Sequence, residues 1–486
     1  MATTQVGLSQ ASMSEVLLAN NISFIYPQNN CGLAPVSLSL DENEGVFISG
    51  NSGSGKSTFT RCLSGLIPHL YRGEFSGEVL INGESTQILP MWELSNRVGL
   101  VFQNPTHQML APTVEAEILF GLENLGLKRQ EMTKRLEKTL TLFQLSTFRD
   151  RSPHTLSGGE QQKLALASIL ARQPQIFVFD EPLSMLDTTS AFEFVSYIEK
   201  LILQGKSAVI CEHRDKYLSQ SPNFRKFLLP GIHDDILPNN DAAPTHPDYP
   251  ESQNNFQLKI RNLSVEKSGI QIIRNMNFSL ESGQIVAIVG RNGAGKTTLL
   301  RSMVGLQKYS GEMWIQNGNG QQKPQFRMVF QNPDIQLFNP SVREEILFKL
   351  PNPNTQRYDW LLDALDLKRY EDIPPLLLSE GEKRRLALAL TLMQNSKHGI
   401  LLDEPALGQD QHHKTVLVQL LQKLSQAGFL VIFTTHDLEL AAHADQLILI
   451  NPNGIVAQGP TQQVLKNENA WLEIGLIKPN WMVTDV

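Results

Sequence analysis

The sequence predicts an α/β fold that is built twice along one chain. Short apolar runs rich in Val, Ile and Phe alternate with stretches of helical periodicity, which is typical of parallel sheets covered by helices. The same ordered set of motifs occurs in both halves of the 486 residues. Residues 236–255 are rich in Pro, Asn and Asp and indicate a linker. We therefore expect one domain over 14–235 and a second over 256–486.

The internal repeat consists of matched segments in the same order. VFISGNSGSGKST (46–58) matches VAIVGRNGAGKTT (286–298), and VFQNPTHQ (101–108) matches VFQNPDIQ (329–336). TLSGGEQQKLALA (155–167) matches LLSEGEKRRLALA (377–389), and VFDEP (178–182) matches LLDEP (401–405). Two long repeats indicate two complete domains, because a solenoid is built from several short ones. IFVFD, GILLD, SAVIC and FLVIFTT are predicted as buried strands, and KRLEKTLTLF and WLLDALDL as helices.

The composition excludes several classes of protein. A net charge of −7 and an apolar fraction of 41% argue against global disorder and against a general nucleic-acid-binding surface. Cys31, Cys62 and Cys211 are too widely spaced for a disulfide framework or a C-x-x-C metal site, and they fit a reducing compartment. We expect neither a signal peptide nor a spanning helix, so a membrane role would require a partner.

Each half contains the pattern G-x-x-x-x-G-K-[ST] between a predicted strand and a helix. Glycines in such a loop let backbone N–H groups converge on phosphate oxygens, and the helix N-terminus attracts the same anion. Lys56 and Lys296 are predicted to reach the β- and γ-phosphates, and Ser57 and Thr297 to bind Mg²⁺. A glycine-rich turn without a ligand is the structural alternative, which two matches at equivalent positions disfavour. The predicted phosphate-binding residues are Gly50, Asn51, Ser52, Gly53, Ser54, Gly55, Lys56, Ser57 and Thr58, and Gly290, Arg291, Asn292, Gly293, Ala294, Gly295, Lys296, Thr297 and Thr298.

Acidic pairs follow two of the predicted strands. Asp180 and Asp403 are placed to hold Mg²⁺, and Glu181 and Glu404 to orient or deprotonate a water that attacks the γ-phosphate. The alternative is that each pair only caps a helix that begins at the next proline. The phosphate loops upstream favour the catalytic interpretation.

A histidine follows each glutamate by 32 residues, at His213 and His436. A neutral histidine after a buried strand can hydrogen-bond the γ-phosphate and the attacking water. A surface histidine is the alternative, and the matched spacing in both halves disfavours it.

With LSGGE (156–160) and LSEGE (378–382) added, the motif set resembles the ATP-binding cassette (ABC) ATPases over nearly the whole chain. The resemblance implies two tandem P-loop NTPase domains, each with a mainly parallel sheet core, an antiparallel β subdomain and a helical signature subdomain. It implies ATP and Mg²⁺ as cofactors and a head-to-tail pseudo-dimer of the two cassettes. Site one would then combine the loop at 50–58 with Ser379 and Gly381, and site two the loop at 290–298 with Ser157, Gly158 and Gly159.

Further residues take roles from the same resemblance. Gln103 and Gln331 resemble sensor glutamines that contact Mg²⁺ and the transport partner, and Tyr26 resembles the aromatic residue that stacks on adenine. The two halves differ at three aligned positions. Lys267 aligns with Tyr26, Glu380 replaces a signature glycine, and Gln409 aligns with Leu186. We expect two hydrolytic sites with different rates, site one being weakened by the charge of Glu380.

Second glutamines, Gln108 and Gln336, follow the Asn-Pro dipeptides and resemble those of energy-coupling factor importers, where they contact a membrane subunit. Plain surface glutamines are the alternative. The tail segments GIVAQGPTQQVL and WLEIGLIKP resemble the same group, and Glu212-His213-Arg214 resembles members linked to thiamine-precursor uptake. The resemblance implies a peripheral protein at the cytoplasmic face of the inner membrane.

The expected function is that of an ATP-hydrolysing motor for import of a vitamin, a vitamin precursor, or a cobalt or nickel ion. Its expected partners are integral membrane transport subunits, contacted near Gln103, Gln108, Gln331 and Gln336, and a separate substrate-binding membrane subunit. One alternative is a soluble tandem-cassette ATPase that acts on ribosomes or nucleic acid. The short acidic linker argues against it, and no nucleic-acid partner is expected. A regulatory scaffold that binds ATP without hydrolysis is disfavoured by the intact glutamates and histidines.

Overall fold

The computed structural model describes residues 15–27, 32–50, 53–212, 218, 221–229, 255–267, 269–318, 320–394 and 396–476. Contacts divide the chain into two compact units, one formed by Met1–Leu186 and Ser190–Pro238, the other by Asp187–Thr189 and Asn239–Val486. Among the sequence predictions, Cys31, Asn51, Ser52, His213 and all of the linker except residue 255 lie outside the described residues.

The first unit combines a parallel sheet, an antiparallel sheet and helices. Its described strands are β1 (Glu15–Ile25), β2 (Gly32–Asp41), β3 (Gly45–Ser49), β4 (Glu74–Ile81), β5 (Glu84–Ser85), β6 (Val98–Val101), β7 (Ile176–Asp180), β8 (Ser207–Cys211) and β9 (Phe224–Leu228). Its described helices are α1 (Lys56–Leu63), α2 (Leu66–His69), α3 (Met91–Arg97), α4 (Val114–Glu123), α5 (Arg129–Leu142), α6 (Gly158–Arg172) and α7 (Thr188–Leu203). The parallel sheet has the order β6-β7-β8-β3-β9, and the antiparallel sheet has the order β2-β1-β4-β5.

The predicted buried strands of the first unit form the centre of its parallel sheet. Successive side chains on β3 point to opposite faces, so Val46 and Ile48 join a core with α1 and the antiparallel sheet, whereas Phe47 joins a core with α4 and α6. Strands covered on both faces read as continuous apolar runs, which explains the sequence pattern. The carboxyl ends of β3 and β7 lie at the same edge, where the glycine loop and the acidic pair follow.

The second unit repeats this architecture. Its described strands are β10 (Phe256–Lys267), β11 (Ile270–Glu281), β12 (Ile285–Val289), β13 (Ser310–Asn317), β14 (Gly320–Gln322), β15 (Phe326–Val329), β16 (Gly399–Asp403), β17 (Leu430–Thr434), β18 (Gln446–Asn451) and β19 (Gly454–Pro460). Its described helices are α8 (Lys296–Met303), α9 (Val342–Leu347), α10 (Thr355–Ala364), α11 (Glu380–Met393), α12 (Gln411–Gln426), α13 (Leu438–Ala442), α14 (Thr461–Lys466) and α15 (Glu468–Ile474). The larger sheet has the order β15-β16-β17-β12-β18-β19 with β19 antiparallel, and the smaller antiparallel sheet has the order β11-β10-β13-β14.

The two units confirm the predicted α/β class, with a mainly parallel sheet, an antiparallel sheet and a helical layer in each. The periodic segments KRLEKTLTLF and WLLDALDL fall largely in α5 and α10. None of the helices within the described ranges has both the length and the apolar character needed to cross a bilayer.

Candidate functional site

Both glycine loops lead from a central parallel strand into a helix. Gly55 and Gly295 precede α1 and α8 with φ angles of 92°, a left-handed conformation that glycine adopts without steric cost. Lys56 Nζ donates to the Gly50 carbonyl at 2.8 Å, and Lys296 Nζ donates to the carbonyl of Gly290 at 2.7 Å. Each lysine therefore closes its own loop and holds an ammonium group beside the helix N-terminus, an arrangement suited to phosphate.

The strand-end aspartates lie beside the hydroxyl group that follows each loop lysine. Thr297 Oγ1 donates to Asp403 Oδ1 at 3.1 Å. In the first unit, Ser57 lies beside Asp180 and acts to lower the pKa of that carboxyl, against the larger effect of burial. In the second unit, Thr434 Oγ1 also donates to Asp403 Oδ1, at 2.6 Å. The strand partner of Asp180 is instead Cys211.

The aspartates carry buried charge that a cation could neutralise. Burial, assisted by the neighbouring Glu181 carboxylate, raises the pKa of Asp180 to about 6, and burial raises the pKa of Asp403. Asp180 Oδ1 and Asp403 Oδ2 are buried without a hydrogen-bond partner among the described residues. Carboxylate and hydroxyl oxygens are ligands that Mg²⁺ prefers, so these residues fit that ion. No cluster of three His, Cys, Asp or Glu side chains within the described ranges could bind a metal alone.

The two glutamates adopt an unusual backbone conformation. Glu181 and Glu404 have φ angles of 48° and 52°, a left-handed region that is strained for residues other than glycine. The N–H of Glu181 donates to the Cys211 carbonyl at 2.8 Å, and that of Glu404 donates to the Thr434 carbonyl at 3.2 Å. These bonds to the neighbouring strand fix where each carboxylate leaves the sheet.

Each glutamate is contacted by another residue that the sequence singles out. Gln103 Nε2 donates to Glu181 Oε2 at 2.7 Å, which joins a predicted sensor glutamine to a predicted catalytic glutamate. In the second unit, His436 N donates to Glu404 Oε2 at 3.1 Å, and His436 Nε2 lies 3.3 Å from Glu404 Oε1. His436 Nε2 also lies 3.1 Å from Lys296 Nζ. The structure therefore brings the loop lysine, the glutamate and the histidine of the second unit together.

The signature serines begin helices. Ser157 and Ser379 are the N-caps of α6 and α11, and each serine N–H donates to the glutamate three residues later, at 2.8 Å in both units. Gly158, Gly159 and Gly381 lie in the first turns of these helices. This reciprocal capping was not predicted, although the spacing S-x-x-E indicates it. Helix N-termini are suited to an anion.

The predicted adenine-stacking residue is held by its neighbours. The Tyr26 hydroxyl accepts a hydrogen bond from Arg61 Nη1 at 2.8 Å, and its ring lies edge-to-face on Phe24 with centroids 4.7 Å apart. The Arg61 guanidinium also lies 4.8 Å from the centroid of the Tyr71 ring. The corresponding residue of the second unit, Lys267, is exposed at the end of β10. The supporting residues Arg61 and Tyr71 could not be identified from the sequence.

The second glutamines close the turns in which they lie. Gln108 Oε1 accepts from the Phe102 N–H at 2.9 Å, and Gln336 Oε1 accepts from the Phe330 N–H at 3.4 Å. The side-chain amides of Gln108 and Gln336 are therefore hydrogen-bonded to backbone N–H groups six residues earlier in the chain. Large apolar side chains near these turns are exposed: Leu110, Phe120, Ile335 and Phe338.

The departure at Gln409 and the nearby Arg384 form polar contacts within the second unit. Gln409 Nε2 donates to the carbonyl of the signature residue Gly381 at 3.1 Å, and Arg384 Nη1 donates to the carbonyl of Leu407. Both bonds join the segment after Glu404 to the start of α11. In the first unit, Gln162 Nε2 donates to the Pro182 carbonyl at 3.2 Å across the equivalent segments.

Comparison with known proteins agrees with this geometry. The family model described as ABC transporter matches residues 33–184 and again 273–407. A "Putative ABC transporter ATP-binding protein" of Treponema denticola is 35% identical over 475 residues, which cover 91% of this chain and 96% of that protein. A "Putative HMP/thiamine import ATP-binding protein" of Bacillus subtilis is 30% identical over 518 residues, covering 95% and 94%.

A solved structure described as "RNase-L Inhibitor" has the same fold. Its TM-score is 0.59 with 20% sequence identity, and the match covers 93% of each chain. At that identity, the similarity concerns the fold alone.

Proposed function

Because the chain belongs to the ABC transporter family of ATP-binding proteins, with two cassettes in one polypeptide, we propose that it is the motor subunit of a membrane importer of the energy-coupling factor type. It is an ATPase that uses ATP with Mg²⁺. The import role is supported by the Bacillus subtilis relative, whose name refers to HMP and thiamine import. We propose cargo of that type, bound by a separate membrane subunit. The proposed nucleotide-binding domains span 14–235 and 256–486.

The proposed mechanism assigns each ATP to both cassettes. The loop at 50–58 would bind one triphosphate together with Ser379 and Gly381, and the loop at 290–298 would bind the other together with Ser157 and Gly159. The N-termini of α6 and α11 attract phosphate, which supports their use as second halves of the two sites.

The contacts around each glutamate support the proposed hydrolytic roles. Mg²⁺, when bound, neutralises charge on the phosphates. Glu181 and Glu404 orient the attacking water and accept its proton, and their backbone bonds to the neighbouring strands keep the carboxylates in place. His436 lies close enough to Glu404 and Lys296 to contact both the water and the γ-phosphate.

The observation that carries the motor role is the hydrogen bond from Gln103 to Glu181. Gln103 precedes the turn closed by Gln108, and exposed Leu110 follows that turn. Phe120, on the next helix α4, is also exposed. A partner that packs on these apolar side chains would displace the segment that positions the catalytic base Glu181. Exposed Ile335 and Phe338 occupy the equivalent region after Gln331. We propose these two regions as contact surfaces for the membrane subunits.

Co-purification from detergent-solubilised membranes tests this proposal. The full chain is expected to recover a multi-spanning subunit, and Leu110→Asp together with Ile335→Asp is expected to lose it. Leu203→Asp is the matched control, because Leu203 and Leu110 are both 75% exposed and Leu203 lies at the end of α7. Recovery of ribosomal particles with no membrane subunit would contradict the importer role. Equal loss with Leu203→Asp would contradict the assigned surfaces.

A further inference from the structure

Three aligned positions are uncharged in the first unit and charged in the second. Asp334 stands at the position of Thr106 in the glutamine turn. Lys383 stands at the position of Gln161, and Glu380 at the position of Gly158, both on the signature helix.

The three charged side chains of the second unit lie together. Lys383 Nζ is 2.8 Å from Asp334 Oδ1 and 3.6 Å from Glu380 Oε1. The side chains of Lys383, Glu380 and Asp334 are only 8%, 14% and 29% exposed. At this burial their interactions are screened less than those of surface pairs. One ammonium group is therefore paired with two carboxylates, and it lies closer to Asp334 than to Glu380.

The first unit makes other contacts at these positions. Thr106 Oγ1 donates to Asn104 Oδ1 at 2.6 Å within its own turn, and Gln161 Nε2 donates to the Pro153 carbonyl at 3.1 Å. Gly158 has no side chain. The ionic link between the glutamine turn and the signature helix is therefore a feature of the second unit.

Glu380 is the first residue of α11, at the end of the helix that attracts anions. A phosphate bound at this positive helix end would compete with the Glu380 carboxylate and would be repelled by it. The strength of that repulsion depends on how closely Lys383 approaches it.

We propose that Lys383 is a positioning residue that adjusts the charge of the second signature loop according to what occupies Asp334. A partner that presents a cationic side chain to Asp334 releases the Lys383 ammonium towards Glu380. Repulsion of the triphosphate then falls, and ATP binds more tightly at site one. This inference rests on the proposed head-to-tail arrangement, because only there does Glu380 face the loop at 50–58.

The test measures Mg²⁺-dependent binding of a fluorescent ATP analogue to the full chain carrying Lys296→Ala, which disables the second loop. Asp334→Thr mimics release of Lys383 and is expected to tighten binding about three-fold. Lys383→Gln leaves Glu380 uncompensated and is expected to weaken binding about three-fold, with rescue by Lys383→Arg. Thr and Gln are the residues that the first unit uses at the positions of Asp334 and Lys383. Both shifts are expected to shrink at high salt.

A double-mutant cycle separates this role from simple packing. In a chain with Glu380→Gly, replacing Asp334 or Lys383 is expected to leave the affinity unchanged, because the carboxylate that they control is gone. If replacing Asp334 or Lys383 shifts the affinity for the ATP analogue equally in the presence and absence of Glu380, the inference is overturned.

Ser379→Arg distinguishes this inference from the proposed function. If it weakens binding while the Asp334 and Lys383 variants do nothing, only the inference on Lys383 fails. If it has no effect, the head-to-tail arrangement fails, and the inference fails with it.

Discussion

Replacing Asp180 with Asn is expected to stabilise the first unit in the absence of Mg²⁺ while removing hydrolysis at its loop. Burial raises the pKa of this carboxyl from 3.8 to about 6, and Oδ1 lacks a hydrogen-bond partner among the described residues. A shift of about two pH units corresponds to about 3 kcal/mol of destabilisation when the group is ionised. The uncharged amide avoids this cost.

The effect has a defined dependence on pH. Because folding raises this pKa, the ionised carboxylate destabilises the folded state, and the cost is fully present above about pH 6. Below about pH 4 the group is protonated in both states, so the difference between wild type and Asp180→Asn should vanish. The advantage of the variant is therefore expected to appear between these two values and to remain constant at higher pH.

Urea unfolding with EDTA at several pH values measures the difference, with Asp403→Asn as the matched control. Asp403 accepts hydrogen bonds from Thr434 and Thr297, so its carboxylate is better compensated and its replacement should stabilise less. Addition of Mg²⁺ and ATP should stabilise the wild type more than Asp180→Asn. A destabilised Asp180→Asn variant, or a gain independent of pH, would refute the reasoning.

Three further predictions concern single side chains. Glu181→Gln and Glu404→Gln should each lower phosphate release, and the double variant should lose about 100-fold or more; near-normal turnover in the double variant would contradict the assigned acids. Cys211→Thr should supply to Asp180 the hydroxyl group that Thr434 supplies to Asp403 in the second unit. This hydrogen bond should stabilise the first unit by about 1 kcal/mol at pH 8 and lower the Asp180 pKa in an NMR titration. An unchanged Asp180 pKa would disprove the contact. Ser157→Ala should cost about 1 kcal/mol through loss of the α6 cap, seen as faster hydrogen exchange in its first turn, whereas unchanged exchange would argue against the cap.

The sequence was most informative where one local rule determines the structure. The runs IFVFD and GILLD are buried on both faces, so their uninterrupted apolar composition predicts the central strands β7 and β16. The glycine loops are equally predictable from the sequence, because Gly55 and Gly295 adopt a backbone conformation that few other residues adopt.

Features that depend on distant neighbours could not be predicted. Nothing local in the sequence indicates that Glu181 and Glu404 have positive φ angles, since hydrogen bonds to the next strand hold them there. The contrast between Cys211 and Thr434 is visible in the sequence. The effect of this difference on the buried aspartates can be deduced only from the strand register, which pairs Asp180 with Cys211 and Asp403 with Thr434.

The aromatic cluster around Tyr26 has a practical consequence. If Tyr26 stacks on the base as proposed, the first loop recognises the base as well as the phosphates, while exposed Lys267 leaves the second loop dependent mainly on the phosphates. Triphosphates with poorly stacking bases should then discriminate between the two loops. A pyrimidine nucleotide could occupy the second loop selectively, allowing the two turnovers to be followed separately in an otherwise unmodified chain.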